Sequence, residues 1–225
     1  MKNIVVYSNY TIQANQDKSK TYNEMLRLSI DSCRKHLQGE WEFQVWSGIV
    51  DNHQEVFKRN WVQTDDLWHS GHNVLFIDTD TVFLNDVNIF DVYNKFMLFN
   101  YTDPKCELNG RPYFNCGVRY FPRSMDKTLW EEYRLAYPNW PVDVWDYEQQ
   151  QLNRMLWAPE NDMTFEECYH PEIVYQTFAG LDAEMDAWNN GVHWLKAKIV
   201  HYHGSRGNDR LGLAQQMLTI RSTVC

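Results

Sequence analysis

Two carboxylates, those of Asp78 and Asp80, follow directly on the short apolar run at residues 74–77. A continuous apolar run of this kind is typical of a strand that is buried on both faces of a sheet. The acids must then lie at the end of that strand, where their crowding is costly unless a cation neutralises them. Carboxylate oxygens suit Mg²⁺ or Mn²⁺, and ligands of open α/β sheets bind at the carboxyl ends of the strands. The pair therefore predicts a metal-dependent site for an anionic ligand such as a phosphate.

The first half of the chain predicts the elements that position this acid pair. Apolar runs at residues 3–7, 43–46 and 74–77 indicate buried strands. Between them, apolar residues at helical spacing predict helices over residues 22–37 and 56–68. Alternation of this kind builds a parallel sheet with right-handed crossovers, so we expect an α/β fold.

The second half predicts shorter elements. The patterns indicate strands at residues 96–99, 117–121 and 197–200 and helices at residues 125–135 and 146–156, with residues 157–191 as loops and short helices. Together with the first half, they predict a mixed, mainly parallel sheet flanked by helices.

Composition excludes several classes of protein. A length of 225 residues fits one domain, and the net charge of −9 without a run of Lys or Arg argues against nucleic acid as the main partner. No apolar run reaches the roughly 18 residues of a membrane span, and the first apolar run is too short for a signal peptide. Five cysteines without a C-x-x-C spacing predict free thiols, so we expect a cytoplasmic protein.

Four short motifs resemble, in type and order, those of the GT-A glycosyltransferases that use nucleotide sugars. The closest resemblance is to the retaining enzymes of the glycogenin and bacterial galactosyltransferase type. The motifs are Asp-Thr-Asp at 78–80, Phe-Asn-Cys-Gly-Val at 114–118, Glu-Gln-Gln-Gln-Leu-Asn at 148–153 and His-Tyr-His-Gly at 201–204. Each motif is short, but their shared order covers nearly the whole chain.

The resemblance implies a metal site. Asp78 and Asp80 match the family's metal-binding pair, and His201 matches a third ligand, with His203 as the alternative. The implied cofactor is Mn²⁺ or Mg²⁺. The implied fold is a single GT-A domain over residues 1–225, with a nucleotide-binding half at about 1–95 and an acceptor half at about 96–225.

The resemblance also implies contacts with the donor. A conserved lysine of the family is replaced here by Gly207, and we expect Arg206 or Arg210 to bind the diphosphate instead. The residues expected to bind the nucleotide sugar are Tyr7, Ser8, Asn9, Asp78, Thr79, Asn115, Gly204 and Arg206. Gly117 belongs to the same sugar-side motif as Asn115.

The implied reaction moves a sugar from a nucleotide-diphosphate donor, a UDP-sugar by resemblance, to a hydroxyl group. The acceptor is a glycan, a lipid-linked sugar or a protein, and the resemblance implies retention of configuration. The sugar carbon becomes oxocarbenium-like as the diphosphate leaves, so a nearby carboxylate or amide oxygen stabilises it. The catalytic candidates are Glu148, Asp146 and Gln149.

A different class of enzyme shares part of this pattern. Haloacid dehalogenase-type phosphohydrolases carry Asp-x-Asp-x-Thr after a strand, use the first Asp as nucleophile and bind Mg²⁺, which would give that role to Asp78. Two predicted β-α units precede the motif here, whereas that family places it on the first strand. The late loop at residues 204–209 also lacks that family's leading Asp.

Overall fold

The computed structural model describes residues 2–14, 19–88, 95–101, 107–108, 111–136, 147–168, 170–177, 185–186, 189–202, 211–212, 214–216 and 218–219. Ten strands and five α-helices are assigned within these ranges. The strands are β1 (Asn3–Ile12), β2 (Glu42–Val50), β3 (Asn73–Asp78), β4 (Thr81–Phe83), β5 (Met97–Tyr101), β6 (Glu107–Leu108), β7 (Arg111–Pro112), β8 (Phe114–Phe121), β9 (Val174–Thr177) and β10 (Ile199–Tyr202). The helices are α1 (Ser19–His36), α2 (His53–His69), α3 (Lys127–Ala136), α4 (Tyr147–Leu156) and α5 (Phe165–Cys168), with a 3₁₀ helix at Trp194–Lys196.

A five-stranded mixed sheet forms the centre of the fold, in the order β2-β1-β3-β8-β5. The pairs β1–β2 and β1–β3 are parallel, whereas β8 runs antiparallel to both β3 and β5. Ser8 pairs with Asp78, so the end of β3 lies beside the middle of β1.

A second sheet of three strands, in the order β4-β10-β9, connects the segment after the acid pair with the two late strands β9 and β10. β4 begins directly after Asp80 and runs antiparallel to β10, which is parallel to β9. Ile199 and Phe83 of this sheet belong to the same core cluster as Leu75 and Ile77 of β3.

Apolar side chains cover both faces of the central sheet. On one face, Val74 and Phe76 share a cluster with aromatic residues of α2 and α3. On the other face, Leu75 and Ile77 contact α1 and the small sheet. Because alternate residues of β3 enter opposite clusters, the whole run must be apolar, which is the pattern read from its sequence.

The predicted α/β order is confirmed, although β2 and β8 are longer than predicted, α1 begins earlier, and the two-residue strands β6 and β7 were not predicted. Three further differences bear on the site. β1 continues to Ile12, so residues 8–10 extend a strand that the sequence predicted to end at Tyr7. β4 and β9 were not predicted, because three or four residues are too few to show a period. α2 begins at His53, three residues earlier than its apolar spacing, because the Asn52 side chain accepts a hydrogen bond from the Glu55 main-chain N–H and caps the helix.

Two expectations from composition can be compared with the described residues. None of the helices there combines the length and apolar character needed to cross a bilayer. Cys33, Cys116 and Cys168 are free thiols, as predicted, whereas Cys106 and Cys225 lie outside the described residues.

The packing of α3 on α2 yields a stability prediction. The Trp130 side chain is fully buried, its ring centroid lies 4.6 Å from that of Trp61 and 5.2 Å from that of Trp68, and its Nε1–H donates to Asp65. Trp130→Ala removes these contacts and leaves a cavity, so we expect a loss of roughly 3–5 kcal/mol in the free energy of unfolding. Urea denaturation measures it.

Val62→Ala, at an exposed position of α2, is the control and should change the free energy of unfolding by less than about 0.5 kcal/mol. A loss below about 1 kcal/mol for Trp130→Ala would contradict the assignment of this cluster as core.

Candidate active site

The acid pair lies at the turn between the two sheets. Asp78 is the last residue of β3, and Thr79 and Asp80 form the turn that leads into β4. The Asp78 side chain is 45% exposed and the Asp80 side chain 15% exposed. The carboxylates therefore lie at the edge of the sheet, as the apolar run predicted.

His201 reaches this turn through β10. Its Cα partner across the β4–β10 ladder is Thr81, the residue after Asp80. The Tyr202 N–H donates to the Asp80 carbonyl oxygen at 2.9 Å, which extends the ladder into the turn. These main-chain bonds bring the histidine to the carboxylates although they lie far apart in the sequence.

The three side chains form a compact cluster. His201 Nε2 lies 3.7 Å from Asp78 Oδ2 and 3.5 Å from Asp80 Oδ1, and one potential ligand atom from each residue lies within 4.8 Å of the others. Burial lowers the pKa of His201, but the two carboxylates more than offset it and raise the pKa to about 9. Without a metal, the imidazolium thus supplies part of the positive charge that the acids require.

Gly117 makes room for the imidazole. A Cβ atom built on this residue would lie far inside the van der Waals distance of His201 Cε1 and Nε2, and 2.9 Å from Asn115 Oδ1. The Asn115 side chain already accepts the Gly117 N–H at 2.6 Å. Glycine is therefore required here for a close approach, because no side chain fits between β8 and the histidine.

A cleft opens beside the acids, and its lining falls into two parts. The polar part contains Asp78, Thr79, Asp80, Cys116, Arg119 and Glu148. The other part is largely apolar and aromatic: Tyr10 and Ile12 of β1, Tyr22 of α1, and His53, Val56 and Phe57 of α2. Ser8, Asn9, Thr11, Asn60 and Phe76 complete the lining.

Glu148 and Arg119 form a buried ion pair in this cleft. Arg119 Nη1 lies 3.1 Å from Glu148 Oε1, and the side chains are only 4% and 6% exposed. The guanidinium carbon lies 3.9 Å from the centre of the Phe76 ring. Burial raises the pKa of Glu148, the Arg119 charge opposes this rise, and Asp78 adds to it.

The neighbouring motif residues of α4 attach the helix to β8. Gln149 Oε1 accepts the Cys116 N–H at 3.3 Å. Asn153 Oδ1 accepts the Phe114 N–H, and its amide donates to the Phe114 carbonyl, both at 2.7 Å. These bonds fix the first turn of α4, where Glu148 lies.

The structure does not bring every predicted residue to the cleft. Tyr7 is buried in the core, where its hydroxyl oxygen accepts a hydrogen bond from Ser29 at 3.3 Å. Tyr7 belongs to the core cluster that includes Leu75 and Ile77, and it does not line the cleft, whereas Ser8 and Asn9 do. Gln149, Asn115 and His201 are not among the described residues that line the cleft, and His201 is only 1% exposed and lies behind the two carboxylates. Asp146, Gly204 and Arg206 lie outside the described residues, as do the alternatives His203 and Arg210.

Sequence reasoning missed several polar residues of the cleft, among them Arg119 and Asn60. Arg119 is a charge within the apolar stretch of β8, and such an interruption could have marked it. Asn60 lies beside Trp61 on α2 and shares the helical spacing of His53, Val56 and Phe57. A polar residue that continues such a pattern could have been noticed in the sequence.

Comparisons with known proteins give the fold its class. No protein-family model matches the sequence, and no curated protein matches it. A solved glycosyltransferase involved in the glycosylation of the major capsid of PBCV-1 is similar at a TM-score of 0.55 and 15% identity, over 96% of this chain and 98% of that one. An active-site mutant of LgtC is similar at a TM-score of 0.50 and 15% identity, over 98% of this chain and 95% of that one. The bifunctional glycosyltransferase WbbM is similar at a TM-score of 0.57 and 13% identity, over 96% of this chain but only 50% of WbbM.

These solved structures are GT-A-type glycosyltransferases, and the chain has their fold. The GT-A architecture expected from the sequence is thereby confirmed. At identities of 13–15% the likeness concerns the fold, so the chemistry has to be argued from the site itself.

The contact between Gly117 and His201 yields a testable prediction. Gly117→Ala adds a methyl group that displaces the imidazole, so we expect lower stability and a loss of any metal affinity that depends on His201. Thermal unfolding and Mn²⁺ titration measure the two effects.

A double-mutant cycle tests the stated cause. In a His201→Ala background the contact with the imidazole is gone and only the contact with Asn115 Oδ1 remains, so Gly117→Ala should cost less stability there than in the wild type. Equal costs in both backgrounds would contradict the steric explanation.

The buried ion pair yields a pH prediction. Arg119→Met leaves the Glu148 carboxylate buried without its cation, so we expect a loss of about 3–5 kcal/mol at about pH 8. The pKa of Glu148 in the folded variant rises further above its unfolded value. The stability of the variant is therefore retained at low pH and lost as pH rises through that raised pKa. Urea denaturation at about pH 5 and about pH 8, relative to the wild type, measures the difference.

The double variant Arg119→Met/Glu148→Gln removes the titrating group and should lose this pH dependence. A deficit in Arg119→Met that is the same at both pH values would show that packing on Phe76, and not the ion pair, dominates.

Proposed function

We propose that this protein is a metal-dependent glycosyltransferase. It transfers a sugar from a nucleotide-diphosphate donor, a UDP-sugar, to a hydroxyl acceptor on a glycan, a lipid-linked sugar or a protein, and it retains the configuration. The observation that carries the proposal is the Asp78–Asp80–His201 cluster, whose two carboxylates line a cleft, in a GT-A fold. The UDP-sugar and retention follow from the motif resemblance.

The donor set fits a divalent cation. Two carboxylates and one imidazole, close enough to share one ion, suit Mn²⁺ and also Mg²⁺. Asp78, Asp80 and His201 would hold it. When bound, it would neutralise the charge that develops on the leaving diphosphate, as a Lewis acid. His201 must release its proton to act as a ligand, because its pKa of about 9 keeps it protonated at neutral pH in the metal-free cluster.

The two parts of the cleft match the two ends of a nucleotide sugar. Aromatic and aliphatic side chains such as Tyr10 and Phe57 offer surfaces on which a flat base stacks. The opposite part is charged and contains the acid pair. Ser8, which pairs with Asp78, and the adjacent Asn9 also line the cleft, where their polar groups can bind the ribose or the diphosphate.

Glu148 is the residue best placed to stabilise the reacting sugar. Its carboxylate lines the cleft near Asp78, and Arg119 favours its ionised form. A buried carboxylate is a strong partner for a developing oxocarbenium ion, because little water screens the attraction. Gln149 supports the position of Glu148 indirectly, because its hydrogen bond to the main chain of Cys116 attaches α4 to β8.

Two further assignments accompany the proposal. We treat the chain as one GT-A domain, because β3 from the first half and β8 from the second are paired in the central sheet. The free thiols of Cys33, Cys116 and Cys168 support a reducing compartment, so we also propose the cytoplasm. The phosphohydrolase alternative is not favoured, since Asp78 ends the third strand and the similar solved structures are glycosyltransferases.

Calorimetric titration with UDP tests the proposed function. We expect binding in the presence of Mn²⁺, much weaker binding without it, and a loss of the metal-dependent part in Asp80→Ala. Asp31→Asn, at an exposed position of α1, is the control and should bind as the wild type does. A panel of UDP-sugars then identifies the donor by the UDP that is released.

Failure of the wild type to bind UDP or GDP with Mn²⁺ would contradict the glycosyltransferase proposal. Phosphatase activity with Mg²⁺ that is lost in Asp78→Asn would support the phosphohydrolase instead.

A further inference from the structure

One buried asparagine of the cleft, Asn60, has a side-chain oxygen that accepts no hydrogen bond from the described part of the protein. Asn60 lies in α2, lines the cleft and is only 4% exposed. Within the described part of the chain, its side-chain oxygen has no hydrogen-bond partner. The hydroxyl of Thr64, one turn further along α2, donates to the main-chain carbonyl of Asn60 and not to this side-chain oxygen.

Other buried asparagines of the protein are satisfied. The Asn153 amide bonds to the main chain of Phe114, and the Asn189 amide bonds to the main chain of Gln176. The Asn161 amide, also 4% exposed, donates to two main-chain carbonyls. An unsatisfied buried acceptor destabilises a folded protein, whereas an apolar group of the same shape does not. Side-chain atoms of Thr81, Gln151 and Gln176 are also buried without a partner among the described residues, but of these residues and Asn60 only Asn60 lines the cleft, where a ligand can reach it.

The spacing of residues along α2 and β1 indicates that Asn60 lies toward the charged end of the cleft, because a crossover helix runs back along the strands that it connects. α2 begins beside the end of β2, which pairs with β1 at Ile12. Asn60 lies two helical turns further on, at a depth of about 10 Å. Ser8, the partner of Asp78, precedes Ile12 by four residues in β1, which corresponds to about 13 Å along the strand. The amide thus lies nearer the level of the acid pair than that of His53 at the start of the helix.

We propose that Asn60 is a specificity-determining residue that hydrogen-bonds a hydroxyl group of the transferred sugar. Sugar hydroxyls both donate and accept hydrogen bonds, as an amide does. Rotation of the amide exchanges its oxygen and nitrogen, so either kind of partner can be met. The assignment rests on the proposed function, because it takes the donor to be a nucleotide sugar whose sugar lies beside Asp78 and Glu148.

Asn60→Leu is the most direct variant, since leucine has nearly the same volume and no polar atom. In the ligand-free protein we expect an unchanged or higher melting temperature. We expect unchanged affinity for UDP with Mn²⁺, and about tenfold weaker affinity for the UDP-sugar that the wild type binds most tightly. Calorimetry with UDP, UDP-glucose and UDP-galactose, together with thermal unfolding, measures all three.

Two further variants separate the causes. Asn60→Ala leaves space for the sugar, so the same loss of sugar-nucleotide affinity would exclude a steric block by leucine. Asn161→Leu removes an amide of equal burial that is fully bonded, so it should lower the melting temperature and leave the ratio of UDP to UDP-sugar affinity unchanged.

Each outcome decides between distinct conclusions. An unchanged affinity ratio in Asn60→Leu and Asn60→Ala would overturn the inference while metal-dependent UDP binding still supports the proposed function. A fall in melting temperature for Asn60→Leu as large as that for Asn161→Leu would also overturn it, because Asn60 would then be a structural residue. If the wild type binds neither UDP nor a UDP-sugar, the proposed function fails and the inference with it.

Discussion

The candidate site depends on the antiparallel ladder between β4 and β10. This ladder pairs Thr81 with His201, and one further bond links the Tyr202 N–H to the Asp80 carbonyl. Main-chain bonds of this kind fix distance and direction at once, so the position of the histidine relative to the acids is set by backbone register. A shift of one residue would move His201 to the other face of the small sheet and remove it from the carboxylates. A strand of three residues therefore determines whether the acids have a third partner.

Charge balance is the second constraint on the cleft. Asp78, Asp80 and Glu148 place three carboxylates near one another, and Arg119 and His201 are the basic groups paired with them. Arg119 is buried against Phe76 and forms an ion pair with Glu148. The protonated His201 side chain lies beside the acid pair, and a divalent cation can replace its proton with a larger positive charge. The positive charge beside Glu148 is therefore part of the protein, whereas the positive charge beside Asp78 and Asp80 can be exchanged for a metal ion.

The parts of this arrangement that the sequence could reveal are those encoded by local pattern. The apolar run before Asp78 could be read because both faces of β3 are buried, and the first two helices because their apolar residues keep helical spacing. The role of His201 could not be read from its neighbours, since only the ladder to β4 brings it to the acids. The surroundings of Tyr7 could not be read locally either. Its side chain is buried where α1 packs on β1, and its hydroxyl oxygen accepts a hydrogen bond from Ser29 of that helix.

The motif on α4 shows why the resemblance in sequence supports the fold more firmly than the chemistry. Gln149 and Asn153 bond to the main chain of β8 and thereby hold the helix in place. Residues with such a role are needed wherever this helix packs on this strand, whichever sugar is transferred and whether or not a reaction occurs. Glu148 differs, because its carboxylate lines the cleft and its partner Arg119 comes from a position outside the motif. The features that separate an active transferase from an inactive relative of the same fold are therefore the groups that line the cleft, which at this level of identity have to be read from the contacts of this chain itself.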